Sequence, residues 1–161
     1  MTKIAFTRES GSVSINYPVS KEIMETWRGK LTDEEYEKIL SDKLVRTYPQ
    51  YDLVEIEDSA IPADDEFRNA WKLDGVIINY NLDKAKAIQL FRIRAARKPK
   101  LAALDREYMI EDEKGVDGDK PAVTARKKLL RDITEPLKAL VPVSIEEIRD
   151  AFPLSLREQK L

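Results

Sequence analysis

The sequence has 161 residues (18.5 kDa), with 28 Lys and Arg against 30 Asp and Glu, no histidine and no cysteine. Those counts exclude disulfides, thiolate nucleophiles and sulfur-based zinc sites, and remove the commonest general base. A net charge of −2 argues against a globally basic nucleic-acid binder. The length suits one domain, or one domain with a helical extension. No apolar run is long enough to span a bilayer and Met1 to Tyr17 lacks a signal-type apolar core, so a soluble, intracellular protein is expected.

In chain order, Ile4 and Phe6 alternate with polar or small neighbours, Arg8-Glu9-Ser10-Gly11 supplies a turn, and Val13 and Ile15 alternate on the return. This pattern predicts a β-hairpin that Pro18 ends. Ser20 caps a short helix through Ile23, Met24 and Trp27, which Gly29 breaks. Thr32-Asp33-Glu34-Glu35 is a capping box opening a helix over 33–45. Leu53 to Glu57 reads as a strand. Phe67 and Trp71, four apart, are expected on one side of a helical turn, and Val76 to Tyr80 is a β-branched strand after an Asp74-Gly75 turn.

From Asn81 the character becomes helical. Asn81 or Asp83 caps a long helix with Ala85, Ile88, Phe91 and Ala95 on one apolar stripe and Leu90 and Ile93 on another. Pro99 is expected to kink or restart it, with Leu101, Leu104 and Tyr108 resuming the spacing to about Glu113. A Gly-containing loop over 114–120 leads to a second helix lined by Leu129, Ile133, Leu137 and Leu140, with Pro136 a further kink or stop. Ser144-Ile145-Glu146-Glu147 is a second capping box, and Pro153 ends the last short helix. The expected class is therefore α+β: a small module over 1–80 of hairpin, strands and short helices, then an antiparallel helical hairpin with a terminal helix over 81–154, and a flexible tail over 155–161.

Charge is segregated. Twelve acids and three bases lie between Asp33 and Glu66, whereas seven bases and no acid lie between Lys84 and Lys100. Arg92, Arg94 and Arg97 are the candidate phosphate or acidic-partner contacts. The basic positions do not fall on one helical stripe, so charge pairing or partner contact ranks above nucleic-acid binding. The acidic runs Asp64-Asp65-Glu66 and Glu111-Asp112-Glu113 lack calcium-loop spacing, and Gly115 to Lys120 lacks the phosphate-loop pattern. No serine has an evident activating base. Trp27, Phe67, Trp71 and Phe91 read as core anchors rather than a ligand cage. No catalytic residues, metal site or cofactor are expected.

Several runs together carry a resemblance. They are Phe6-Thr7-Arg8 with Gly11 and Val13-Ser14, Ile61-Pro62-Ala63-Asp64, Phe67-Arg68-Asn69-Ala70-Trp71, Asp83 and Ala85, Arg92-Ile93-Arg94-Ala95-Ala96-Arg97 with Pro99, Leu101 to Asp105, Tyr108-Met109, Lys128 to Asp132 and Phe152-Pro153. Their order resembles a group of small tail-associated proteins of tailed phages and prophages, some similar to tail-fibre assembly proteins, over about Thr7 to Pro153. Residues 19–50 depart from that pattern. The resemblance implies a non-enzymatic protein of the bacterial host cytoplasm, or of the virion, that acts as an assembly chaperone on a phage tail or tail-fibre protein through apolar helix faces. Ile88, Phe91, Leu101 and Leu104 are the expected partner-binding or packing residues, with Phe67 and Trp71 holding the front module to the helices. The alternatives are a structural tail component that homo-oligomerises through its helices, and a nucleic-acid-binding regulator using helix 84–100. No membrane partner is expected.

Overall fold

The computed structural model describes residues 3–157 and is of the α+β class, with antiparallel strands first and helices after. The chain divides into two compact units, Met1–Tyr80 and Asn81–Leu161.

In the first unit, strand β1 (Lys3–Thr7) pairs antiparallel with β2 (Val13–Asn16), with Thr7 opposite Val13 and Ala5 opposite Ile15. The turn is closed by Arg8 N–H donating to Ser12 O (2.9 Å) and Gly11 N–H to Arg8 O (2.8 Å). Gly11 there has φ 72, a left-handed geometry that glycine adopts without a Cβ penalty. Strand β3 (Val54–Ile56) joins the other edge of β1, giving the order β2-β1-β3. Period-two geometry puts Ala5, Val13, Ile15, Val54 and Ile56 on one face. That face buries against a second hairpin, β4 (Trp71–Asp74) and β5 (Ile77–Tyr80), through Trp71, Leu73, Ile78 and Tyr80. On the opposite face Phe6 is buried under the rings of Tyr48 and Tyr51, with centroids 4.7 and 4.9 Å away.

Helices α1 (Lys21–Arg28) and α2 (Asp33–Thr47) form where their caps predict. Ser20 Oγ accepts from Ile23 N–H, and Gly29, at φ 87, ends α1. The Thr32 capping box closes reciprocally: Glu35 N–H donates to Thr32 Oγ1 (3.2 Å) and Thr32 N–H to Glu35 Oε2 (2.9 Å). Two expectations for this unit need correction. Phe67 and Trp71 do not share a helical turn: a 3-10 turn, Arg68–Ala70, separates them, and Trp71 opens strand β4. Both rings are nevertheless buried, whereas Trp27 is 72% exposed and is no core anchor.

The second unit is built on α3 (Leu82–Glu113), 32 residues and about 48 Å long. Asn81 Oδ1 accepts from Lys84 N–H (3.0 Å) to start it. The helix runs unbroken through Pro99, correcting the expected restart. Proline leaves the Ala95 carbonyl without its usual amide, a cost the packing of so long a helix outweighs. Next come α4 (Lys120–Asp132), α5 (Glu135–Ala139), α6 (Ile145–Asp150) and a 3-10 turn, Leu154–Leu156, all packed on α3. Pro121 and Pro136 each sit in a first helical turn, where their missing N–H costs nothing. The ion pairs Asp112–Lys120 (2.7 Å), Glu107–Arg126 and Asp105–Lys127 (2.6 Å) run in opposite sequence directions, so α3 and α4 are antiparallel.

The inward face of α3 is Ala85, Gln89 and Ile93, at four-residue intervals, and not Ala85-Ile88-Phe91-Ala95. Ile93 forms a core with Leu137 and Leu156, against which Leu90, Ala96, Leu130, Ile133, Leu140 and Phe152 pack. Leu130 replaces the expected Leu129, which is 73% exposed. The second capping box is altered: Ser144 Oγ accepts from Glu147 N–H, but Glu147 Oε2 accepts from Val143 N–H rather than from Ser144. The tail expected from residue 155 is corrected at its start, where Leu156 is buried in this core; residues 158–161 lie outside the described residues.

Candidate interaction surfaces

Helical projection at about 100° per residue places Phe91, Ala95, Ala102 and Met109 on the side of α3 opposite Ile93. Phe91 is 72% and Met109 63% exposed, and both alanines are exposed. Arg94 and Lys98 flank Phe91 and are exposed. Ile88 is half-buried at the edge of this face. Leu101 and Leu104, also half-buried, lie toward the inner side by the same projection. Phe67 and Trp71 are both buried, Trp71 in the sheet core of the first unit. Of the six apolar candidates, the structure therefore presents Phe91 outward and leaves Ile88 partly available.

The three arginines part company. Arg97 Nη1 donates to the carbonyls of Arg131 (2.7 Å) and Leu130 (3.4 Å), the last turn of α4. Arg92 is half-buried and takes part in contacts of its own; Arg94 is exposed. Two lysines do what Arg97 does: Lys86 Nζ donates to the carbonyls of Lys138 (2.8 Å) and Leu140 (2.6 Å) at the end of α5, and Lys100 Nζ to Ser155 O in the terminal 3-10 turn. The C-terminal carbonyls of a helix lack amide partners and carry partial negative charge, so cations there supply both hydrogen bonds and dipole compensation. Part of the basic run on α3 is thus structural. Replacing Arg97 with alanine is expected to cost about 1–2 kcal/mol of stability by strand-and-helix unfolding in urea. Unchanged stability coupled with lost low-salt DNA binding would instead identify Arg97 as a phosphate contact.

The acidic runs are also engaged. Asp64 Oδ1 accepts from Glu66 N–H (2.7 Å). Glu111 accepts from Lys114 Nζ through Oε1 and from Asp119 N–H through Oε2 (2.9 Å). The Lys114 bond first, and the Asp119 amide second, hold the Glu111 carboxyl below the ordinary glutamate value of 4.5. Its folded value being depressed, this contribution is present above that ordinary value and is lost as pH falls through the folded one. Carboxyl NMR titration of Glu111 should therefore give a midpoint below the ordinary one, and Glu111→Gln should flatten the acid-side loss of stability. Among the described residues no group of three or more Asp or Glu is gathered to hold a metal ion.

A second surface lies within the first unit. Helix α2 contributes no buried residue, and an open groove of about 540 Å³ separates it from the sheet face carrying Ile4 and Glu55. Its apolar lining is Ile4, Pro18, Leu40, Leu44, Val45 and Leu53. Tyr36 spans one end, its hydroxyl donating to Val19 O (2.8 Å), and burial pushes that phenol's pKa upward. Glu22, Glu37 and Glu55 line the groove, and the lining cation, Lys21, is paired with Asp33 at 2.6 Å.

No helix is long and apolar enough to cross a membrane among the described residues. Comparisons with protein-family models, with curated proteins and with solved structures return no match to this chain, so the surfaces themselves carry the functional reading.

Proposed function

We propose that the chain is a non-enzymatic, tail-associated protein of a tailed phage or prophage that works in the host cytoplasm by surface contact, as an assembly chaperone for a tail-fibre protein. The observation that supports contact as its mode of action is Phe91, an aromatic ring 72% exposed on α3, with exposed Arg94 and Lys98 on the following two turns. A large exposed ring ringed by charge is a common binding anchor, because it loses little rotamer entropy on docking and buries much area. The tail setting rests on the sequence resemblance. Co-expression with the neighbouring fibre gene product tests the reading: a recovered complex and more soluble fibre are expected, with Phe91→Ala reducing both. Soluble fibre in the absence of the chain, with no complex recovered, would end it.

A second reading, a structural tail component that assembles through its own surfaces, draws on the opposite charge of the α2 groove and the α3 ridge. Mass spectrometry of purified particles separates the two: a structural component is present in stoichiometric amount, a chaperone is not.

A further inference from the structure

We propose that the acidic groove beneath α2 receives the basic outer ridge of α3 from a second copy of this chain, so that copies associate head to tail. The inference does not depend on the tail assignment.

Three features of the groove define its occupant. Its apolar lining, Ile4 and Leu53 on the sheet side and Leu40 and Leu44 on α2, is left open between them. It is rimmed by Glu22, Glu37 and Glu55, while Lys21 is taken up by Asp33. It runs beside a helix of 15 residues, about 22 Å long. An occupant should therefore be elongated, cationic and apolar along one side, which describes an amphipathic basic helix lying in a groove.

The same chain carries such a helix face. Residues 84–100 hold no acid, over about 25 Å of helix, and of their seven cations Arg94 and Lys98 are exposed toward the outer side. Ile88, Phe91 and Ala95 follow the i, i+3, i+7 spacing of groove anchors on its outer side. Arg94 and Lys98 lie one and two turns along from Phe91 toward the same side, a charge opposite to that of Glu22, Glu37 and Glu55. Phe91 is 72% exposed in its own chain, so it is not already used there. The inner cations Arg97, Lys86 and Lys100 remain on their carbonyls and take no part.

Groove and ridge are different surfaces, so the contact is heterologous: each copy offers one of each, and association continues until a ring closes or a filament extends. Opposite charge would orient the encounter and make it salt-sensitive.

Sedimentation of the full-length chain tests this with two substitutions at exposed positions, Phe91→Glu on the ridge and Val45→Glu in the groove, each checked for native circular dichroism. The wild type is expected to associate with concentration, and less so at high salt. Each variant alone should associate at least about tenfold more weakly, one step of roughly 1.4 kcal/mol. An equimolar mixture should form a dimer and stop there, because the Val45→Glu chain keeps an intact ridge and the Phe91→Glu chain an intact groove. A wild-type chain that stays monomeric, a variant that associates like wild type, or a mixture that remains monomeric would each overturn the proposal. A complex with the fibre protein that survives alongside any of these results leaves the chaperone reading standing by itself.

Discussion

Replacing Ile93 with alanine is expected to destabilise the second unit by about 3 kcal/mol, whereas Phe91→Ala should change it by less than about 0.5 kcal/mol. The two residues are neighbours on one helix and both are large and apolar. Ile93 is 0% exposed and packed with Leu137 and Leu156, so truncation removes transfer energy and leaves a cavity that α5 and the terminal 3-10 turn cannot readily fill. Phe91 is 72% exposed, and removing its ring returns little area to water. Urea unfolding followed by helical circular dichroism measures the difference. Both tryptophans, Trp27 and Trp71, lie in the first unit, so their fluorescence should report a transition that Ile93→Ala leaves in place if the units unfold separately. Equal costs at the two positions would mean that the inward face of α3 has been assigned wrongly.

The contrast between these two residues rests on tertiary packing, not on local sequence. Local signals were legible: Ser20, Thr32 and Asn81 cap the helices they precede, because a cap involves only residues two or three apart. The hairpin of β1 and β2 was legible for the same reason. The inward face of α3 was not, because the helix carries apolar residues on two sides and the choice between them belongs to α4, α5 and α6. Gln89 hid the answer further: a polar residue sits at the centre of the buried face, its amide Nε2 donating to Arg149 O (3.3 Å). The basic run was visible as composition, yet its role at the carbonyl ends of α4 and α5 depends on residues far along the chain. Strand β4 is not distinguishable in the sequence although Trp71-Lys72-Leu73-Asp74 alternates, because the Phe67–Trp71 spacing fits a helix equally well. At the candidate surfaces, Phe91 reads from the sequence as a core anchor but is 72% exposed, and the α2 groove is not legible, since an unfilled volume leaves no mark on the residues that border it.

The largest single effect is expected at Gly118, where alanine should cost the second unit about 3–5 kcal/mol or prevent its helices from docking. Gly118 has φ −84, which any residue adopts, so conformational freedom is not what glycine supplies there. What it supplies is space: a Cβ at this position would lie 1.8 Å from the carbonyl oxygen of Glu111 and 2.8 Å from its carbon. These are backbone atoms in the last turn of α3, and they cannot rotate aside as a side chain could. Relief would require the loop to lift, and the loop is tied down: Gly118 N–H donates to Gly115 O, and Asp119, whose N–H donates to Glu111, also caps α4 through Ala122. Lifting the loop therefore breaks the Glu111 bond and shifts the start of α4 together, which moves Val123, 1% exposed, out of its packing. Gly115→Ala is the control. Gly115 has φ 66 but open space where an added Cβ would stand, so the expected cost is only the left-handed penalty of about 1–2 kcal/mol. Thermal unfolding of both variants decides the point: Gly118→Ala should be the more damaging, and the reverse order would show that the close approach to Glu111 is not a constraint on the fold.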